Sequence, residues 1–537
     1  MKTQMHTTAR KLFSIFSLLA STIIAYAQPG ITDSSFGING LSTPEINEAG
    51  FGWSVALQSD GKILSGGGIF QNSQFRFAVV RLNPDGSVDY TFGINGVAAM
   101  PMDSQQSFSS AIDVQLDGKI VEAGCEGSGN YELPFVVARF NPDGSIDNNF
   151  GINGKVVTPV MHGVITTSIV GLVIQSDGKI IITSGVYTDA AYAHEDFALI
   201  RYNSDGSLDA SFGNNGIVIT DVYGNNYDAA RAVKIQEDGK IIAGGLTIQD
   251  FYFYFAIVRY NTNGSIDSSF GTNGRVIATV DSFYDSDGCA LALQPDGKII
   301  IGGEVDGPYS YNYDFGLMRF NADGSVDNTF GVSGAVTSTI YAGYNAVVAS
   351  VLLQSDGKII ETGNTGDTSG YRQLALARFN HDGSIDTGFG NSGKATAYFS
   401  DYTNGGWATM QQDCKIVIVG ISSQPKSLTA ARFLNDPFVC STNSILNPEV
   451  LNSMAWSVFP NPASGNSFIS YTLSTPATVS IALYDVLGNN LRQVVHSAQE
   501  QGEHGATIDT RSIANGVYVL QIRAGDQMAE QKIVVMN

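Results

Sequence analysis

Asn83, Asp85, Ser87 and Asp89 stand at alternate positions of one short run, the spacing at which calcium loops present their oxygen ligands. Calcium is the cofactor that Asn83, Asp85 and Asp89 could hold. No glutamate closes the run as an EF-hand frame requires, and Asn, Asp and Ser so placed also fold onto their own backbone as Asx and Ser turns. Turn chemistry, with no cofactor, is therefore the first expectation. An arginine ends the strand before each such run, and Arg432 holds the same place in the last unit. Seven arginines converging on a channel would attract anions, but a residue that every unit repeats usually meets a need of the unit itself. Pairing with Asp89 or its equivalents is expected.

Catalytic groups are harder to find. His162, His194 and His381 are the histidines of the repeated region, and they sit in unrelated contexts without a nucleophile elbow or zinc-ligand spacing. The chain has 50 acidic residues, enough for two carboxylates to face one another as a glycosidase or lyase needs, but spacing selects no pair, so no catalytic residue is assigned. Aromatics give a better lead. Tyr223, Tyr227, Phe283, Tyr284, Tyr309, Tyr311, Tyr313, Tyr341, Tyr344 and Tyr402 fall among Asn and Asp in the least regular parts of the chain. They form a candidate surface for glycans or proteins; the alternative is that they cap outer sheet edges.

These residues are carried by a repeat. Gln-x-Asp-Gly-Lys-Ile recurs with a period near 60 residues, its lysine at Lys62, Lys119, Lys179, Lys240, Lys298, Lys358 and, in altered form, Lys415. A second phrase ends in Phe-Gly, at Phe36, Phe92, Phe150, Phe212, Phe270, Phe330 and Phe389. The Phe-Gly element opens the array and Arg432 closes it, so seven units are expected. Within the second unit, residues 96–99, 111–115, 119–123 and 135–139 read as four short strands, and Asp117-Gly118 suits a two-residue type I′ hairpin. Such a sheet, repeated seven times, predicts an all-β, seven-bladed β-propeller of four-stranded antiparallel blades. Either each unit is one blade, or the segment near 40–46 completes the last one. The uniform turns share one face and the variable loops the other.

The two phrases at this period resemble the delta-60 repeat, a propeller family without assigned activity, from Ile31 to about Leu434. Beyond Cys440 the period stops. Val458-Phe459-Pro460-Asn461-Pro462, alternating strands such as 480–484 and 516–520, the hairpin candidate Leu487-Gly488-Asn489 and the ending Lys532-Ile533-Val534-Val535 read as a small β-sandwich. Together they resemble the type A sorting domain of the Type IX secretion system. That resemblance implies recognition by the Type IX secretion machinery and release or anchoring at the cell surface.

The start of the chain agrees: Arg10 and Lys11, an apolar run from Leu12 to Ile24 and Ala25-Tyr26-Ala27 form the pattern of a cleaved signal peptide. The expected organisation is signal peptide 1–27, propeller 28–440, linker 441–455 and sorting domain 456–537. A net charge of -21 disfavours nucleic acid, and beyond the signal no run approaches the ~20 apolar residues of a membrane helix. An oxidising destination permits bridges. Cys414 replaces the turn glycine of the other units, and a strand starting at Ile416 lies beside the end of its antiparallel neighbour, so a disulfide between Cys414 and Cys440 is expected. Cys125 and Cys289 read as small buried apolar side chains. The sequence thus predicts a secreted or cell-surface binding or adhesion module without catalysis. A polysaccharide-active enzyme and a structural surface component are the alternatives.

Overall fold

The computed structural model describes residues 28–436 and 456–535, except for 45–49, 72–73, 103–105, 128–132, 160–170, 190–193, 225, 281–285, 307–311, 367–370, 400–401, 424–425, 460–462, 464, 474–475, 485–489 and 525–526. The expected signal peptide, the linker and Cys440 lie outside the described residues. Among these residues every regular element is a strand and none is a helix.

The turns make the sheets. In the first, Gln58 N donates to Lys62 O at 3.0 Å, Asp60 Oδ1 accepts the Lys62 amide at 3.2 Å, and Gly61 takes a φ of 83° that a β-carbon would resist. The same geometry recurs at Gln115 and Lys119 (2.8 Å). Strands joined this way form four-stranded antiparallel sheets, which are numbered here as sheet I (50–100), II (106–158), III (171–220), IV (228–278), V (286–338) and VI (346–397). Sheet VII contains Thr403–Met410, Ile416–Ser423 and Lys426–Phe433, and its fourth strand is Leu41–Ser42, with Leu41 opposite Ala431 and Ser42 opposite Ala430. The N-terminal segment thus completes the last sheet, which answers the question of phase. The first strands of the sheets touch one another in succession, and Thr403–Met410 returns to Gly50–Leu57, so the array closes on itself as a propeller does.

Each sheet buries both faces against its neighbours. Val121, Val137 and Phe150 of sheet II share a core with Ile180, Ile182 and Tyr202 of sheet III, and third strands such as Phe135–Phe140 are buried along their whole length. This is why the strands read as continuous apolar runs. Inner strands carry a β-bulge, at Gly52/Ser54, Ser109/Ala111, Ala230/Ala232, Gly288/Ala290, Val348/Ser350 and Gly405/Trp407. A bulge re-aims side chains, here Trp53 and Arg231 among them. It also demands glycine opposite: a β-carbon on Gly363 would lie 1.8 Å from Val347 O.

One joint links successive sheets. Arg81 Nε donates to Asp89 Oδ2 at 2.8 Å, Lys62 Nζ meets the same oxygen at 2.9 Å, the guanidinium lies 4.3 Å from the Phe92 ring centre, and Nη1 reaches Pro142 O of the next unit at 2.7 Å. Arg139 with Asp147, Arg201 with Asp209, Arg259 with Asp267, Arg319 with Asp327 and Arg378 with Asp386 repeat the pairing. Arg432 pairs with Asp33 at 2.8 Å, lies over Phe36 and donates to Pro84 O, which joins the last unit to the first. The arginines therefore serve the units.

Cys414 is disulfide-bonded, whereas Cys125 and Cys289 are buried thiols outside any disulfide. Its φ of 69° is one that glycine adopts without strain. Dithiothreitol is expected to destabilise the chain by the few kcal/mol typical of a bridge, about 2–4 kcal/mol, and to leave a Cys414→Gly variant unshifted in thermal unfolding. Equal shifts in both proteins would contradict this.

At the C-terminus, Trp456–Phe459, Asn466–Leu473 and Gly502–Asp509 form a three-stranded sheet, and Asn490–Gln499, Ala477–Tyr484, Gly516–Ala524 and Gln527–Val535 a four-stranded one. Ile469, Tyr471, Ile481, Leu483, Leu520 and Ile533 fill one core between them.

Candidate functional site

The face bearing the Asp-Gly-Lys turns is occupied by the joint. Asp85 Oδ1 accepts the Ser87 amide at 3.0 Å and hydroxyl at 2.7 Å, and Asn83 Nδ2 donates to Ser87 Oγ at 2.9 Å. Asp89 Oδ1 takes Thr91 while Oδ2 holds Arg81 and Lys62. In one repeat Asn263 replaces the aspartate and makes the same turn with Ser265. Asp85 and Asp89 thus spend their carboxylate oxygens on these turns and on the Arg81 and Lys62 side chains, while Asn83 gives its amide nitrogen to Ser87.

The opposite face carries the irregular connections, from each second strand to the third and from each fourth strand to the next sheet. Tyr223 and Tyr341 are exposed here, and Tyr227, Tyr313, Tyr344 and Tyr402 are partly covered. Phe283, Tyr284, Tyr309 and Tyr311 lie outside the described residues. The Tyr313 amide donates to Asn345 Oδ1 at 3.1 Å, tying two loops together. Tyr371 and Tyr398, both exposed, meet edge to face at 6.2 Å, and Arg372 lies 5.4 Å from the Tyr402 ring centre with Nη1 on Asn404 Oδ1 at 3.1 Å. At the inner strands of sheets I and VII, Trp53 and Trp407 pair edge to face at 5.3 Å, with Trp53 38% exposed. Such rings offer stacking surface to a planar or sugar ligand. Tyr371, Tyr398 and the tryptophans escape notice in the sequence, because neither the repeat nor an aromatic run marks them.

A charged cluster on this face is spread over the successive sheets III, IV and V. Arg231, at the bulge of its strand, pairs with Asp287 at 2.9 Å, and Asp287 stands opposite Glu304 in the neighbouring strand. Burial, and then the Asp287 charge, pushes the Glu304 carboxyl up to about 7. The Asp287 charge raises the Arg231 guanidinium against the pull of burial. Burial and the adjacent Glu195 raise the Tyr227 phenol, and Glu195 is itself fully buried. Cys289 next door is inert: burial lifts its thiol well up, and Sγ donates to Val348 O at 3.2 Å. The arrangement combines a carboxyl that keeps its proton near neutrality with an arginine-held carboxylate, the pairing acid–base chemistry uses. Asp196, Asp221 and Asp228 form a second acidic group on the same face.

No curated protein sequence matches the chain. Solved structures similar to it include a protein of unknown function from Dyadobacter fermentans (11% identical, 74% of this chain and 100% of that chain, TM-score 0.37) and a PL25 ulvan lyase (9%, 79% and 99%, TM-score 0.40). Another is PorZ, a surface component of the type IX secretion system of Porphyromonas gingivalis (9%, 90% and 81%, TM-score 0.20). The family model described as a domain of unknown function (DUF5122) beta-propeller matches residues 58–92, 115–150, 175–212, 236–270, 294–330 and 354–389, and that of the secretion system C-terminal sorting domain matches 457–536. The sorting domain marks export through the Type IX system to the cell surface or extracellular space. The chain thus carries six DUF5122 β-propeller repeats and a C-terminal Type IX secretion sorting domain.

Proposed function

We propose that the chain is an exported, seven-bladed propeller that acts as a binding or adhesion module at the cell surface, recognising glycans or surface proteins through its variable-loop face. Six blades correspond to the matched repeats. The seventh is read from Thr403–Phe433 with Leu41–Ser42, supported by their pairing and by the Arg432–Asp33 joint. The tail is read as a β-sandwich from the core its two sheets share, and the mature domains as 28–440 and 456–537.

One observation carries the functional reading: Tyr223, Tyr341, Tyr371 and Tyr398 are exposed on one face, beside charged side chains, while the other face is filled by the repeated structural joint. Tyr227, Tyr313, Tyr344 and Tyr402 flank these residues. The loops of Asn83, Asp85 and Asp89 are assigned to turn chemistry. A polysaccharide-active enzyme is the second reading, favoured by Glu304 and the Arg231-held Asp287.

An array of extracellular polysaccharides, probed with the full chain and followed by product analysis, separates the two. Binding without new reducing ends or unsaturated products supports the module. Turnover abolished by Glu304→Gln supports the enzyme, and an array with neither directs the first reading to a protein partner or a structural role.

A further inference from the structure

We propose that Asp196, Asp221 and Asp228 bind one divalent cation of the calcium class, which pins the loop between sheets III and IV that carries Tyr223 and Tyr227. Asp196 is the second residue of the third strand of sheet III, Asp221 follows its fourth strand and Asp228 opens sheet IV, so the three carboxylates come from separate places in the chain. Their oxygens all lie within 4.8 Å of one another. Three negative charges at that separation, none fully exposed and Asp228 wholly buried, repel unless a counter-charge sits among them.

Hydrogen bonding supplies an independent argument. Asp228 is 0% exposed; its Oδ2 accepts the amides of Val222 at 2.6 Å and Tyr223 at 3.2 Å, while its Oδ1 has no hydrogen-bond partner. Thr247 lies close enough to lower the carboxyl, yet neither its hydroxyl nor Oδ1 completes a hydrogen bond. Asp196, 8% exposed, has a buried Oδ1 in the same condition. Buried carboxylate oxygens without donors are rare and call for an ion or a proton.

The charged neighbours do not answer this need. Arg275 donates to the carbonyl oxygen of Asp221, from Nε at 3.2 Å and Nη2 at 3.1 Å, and His194 pairs with Asp189 at 2.5 Å. Hard carboxylate oxygens from an irregular loop suit calcium, which tolerates variable geometry, better than magnesium, which demands an octahedron and keeps its water. Asp221 and Asp228 bracket the loop, so the ion would hold Tyr223 and Tyr227 in place whether or not this face binds a glycan.

The test is calorimetric titration of the chelator-treated full chain with calcium chloride and with magnesium chloride, alongside thermal unfolding. One calcium per chain and a rise in Tm are expected. Asp228→Asn keeps an oxygen for the Val222 and Tyr223 amides, and it should weaken calcium at least tenfold while leaving the calcium-free Tm unchanged or higher. Asp196→Asn should do the same. No heat and no Tm rise in the parent chain would overturn the proposal, as would calcium binding that survives in both variants, which would place the ion elsewhere. Magnesium binding as tightly as calcium would overturn the calcium assignment.

Discussion

Arg319→Ala is expected to destabilise the protein by about 3–5 kcal/mol, the cost of breaking a buried pair by removing one partner. Arg319 is 1% exposed; Nε lies 2.7 Å from Asp327 Oδ2, Nη1 reaches His381 O at 2.5 Å, and the guanidinium sits 4.6 Å from the Phe330 ring centre. Truncation strands the Asp327 charge beside Lys298 alone, at 3.4 Å, and leaves the His381 carbonyl without its donor. Arg319→Lys keeps the charge but not the planar fork, so it should recover only part of the loss. Chemical denaturation of the three proteins measures this, and a loss below about 1 kcal/mol for the alanine variant would mean that the joint is ornamental.

The same joints set the acid limit. Against the upward pull of burial, Ser35, Lys415 and Arg432 hold the Asp33 carboxyl down at about 2, and Asp327 is likewise held low. A carboxylate depressed in the folded state contributes stability above its unfolded value, near 4, and that contribution fades as pH falls through the folded value. Stability from the joints should therefore be complete at neutral pH and drain away between about pH 4 and 2.

Glu122→Gln should work in the opposite direction and at the other end of the pH scale. Glu122 is fully buried between sheets I and II, its Oε1 accepting the Ser109 hydroxyl at 2.6 Å and the Gly67 amide at 2.9 Å. Burial pushes its carboxyl up to about 8 despite those donors. An acid whose folded value is raised contributes stability below its unfolded value, near 4.5, and loses it as pH climbs through the folded value. Glutamine keeps the acceptor and cannot ionise. At pH 9 the variant should exceed the parent by at least about 1–3 kcal/mol, the cost of a buried, poorly paired polar group, and the difference should vanish near pH 5. Parallel curves of stability against pH for the two proteins would refute the assignment.

What the sequence disclosed follows from repetition. Arg81 and Asp89 could be paired in advance because seven copies of one local need leave the same mark seven times. The Asp-Gly-Lys turns were legible because positive φ and hairpin twist restrict residue choice at single positions. Sheet phase was not, since nothing local distinguishes a strand that closes its own sheet from Leu41–Ser42, which closes a sheet almost 400 residues later. The candidate site escaped for the same reason in reverse. Arg231, Asp287 and Glu304 are each unique to their units and meet only because sheets IV and V are neighbours in the ring. Asp196, Asp221 and Asp228 lie in or beside variable connections, where no period singles them out. Tyr223 and Tyr227 were marked because aromatics in polar loops are conspicuous, but the carboxylates beside them were hidden among 50 acidic residues.

The measurement closest to the central claim compares the two faces. Binding of the full chain to immobilised extracellular polysaccharides should be followed by biolayer interferometry for the parent, a Tyr341→Ala/Tyr371→Ala variant and an Asp85→Ala/Asp143→Ala variant of the turn face. The tyrosine variant is expected to lose at least about tenfold in affinity, as the removal of stacking aromatics does, while the turn variant binds like the parent. Loss confined to the turn variant, or equal affinity in all three proteins, would show that the tyrosine face is not the binding surface.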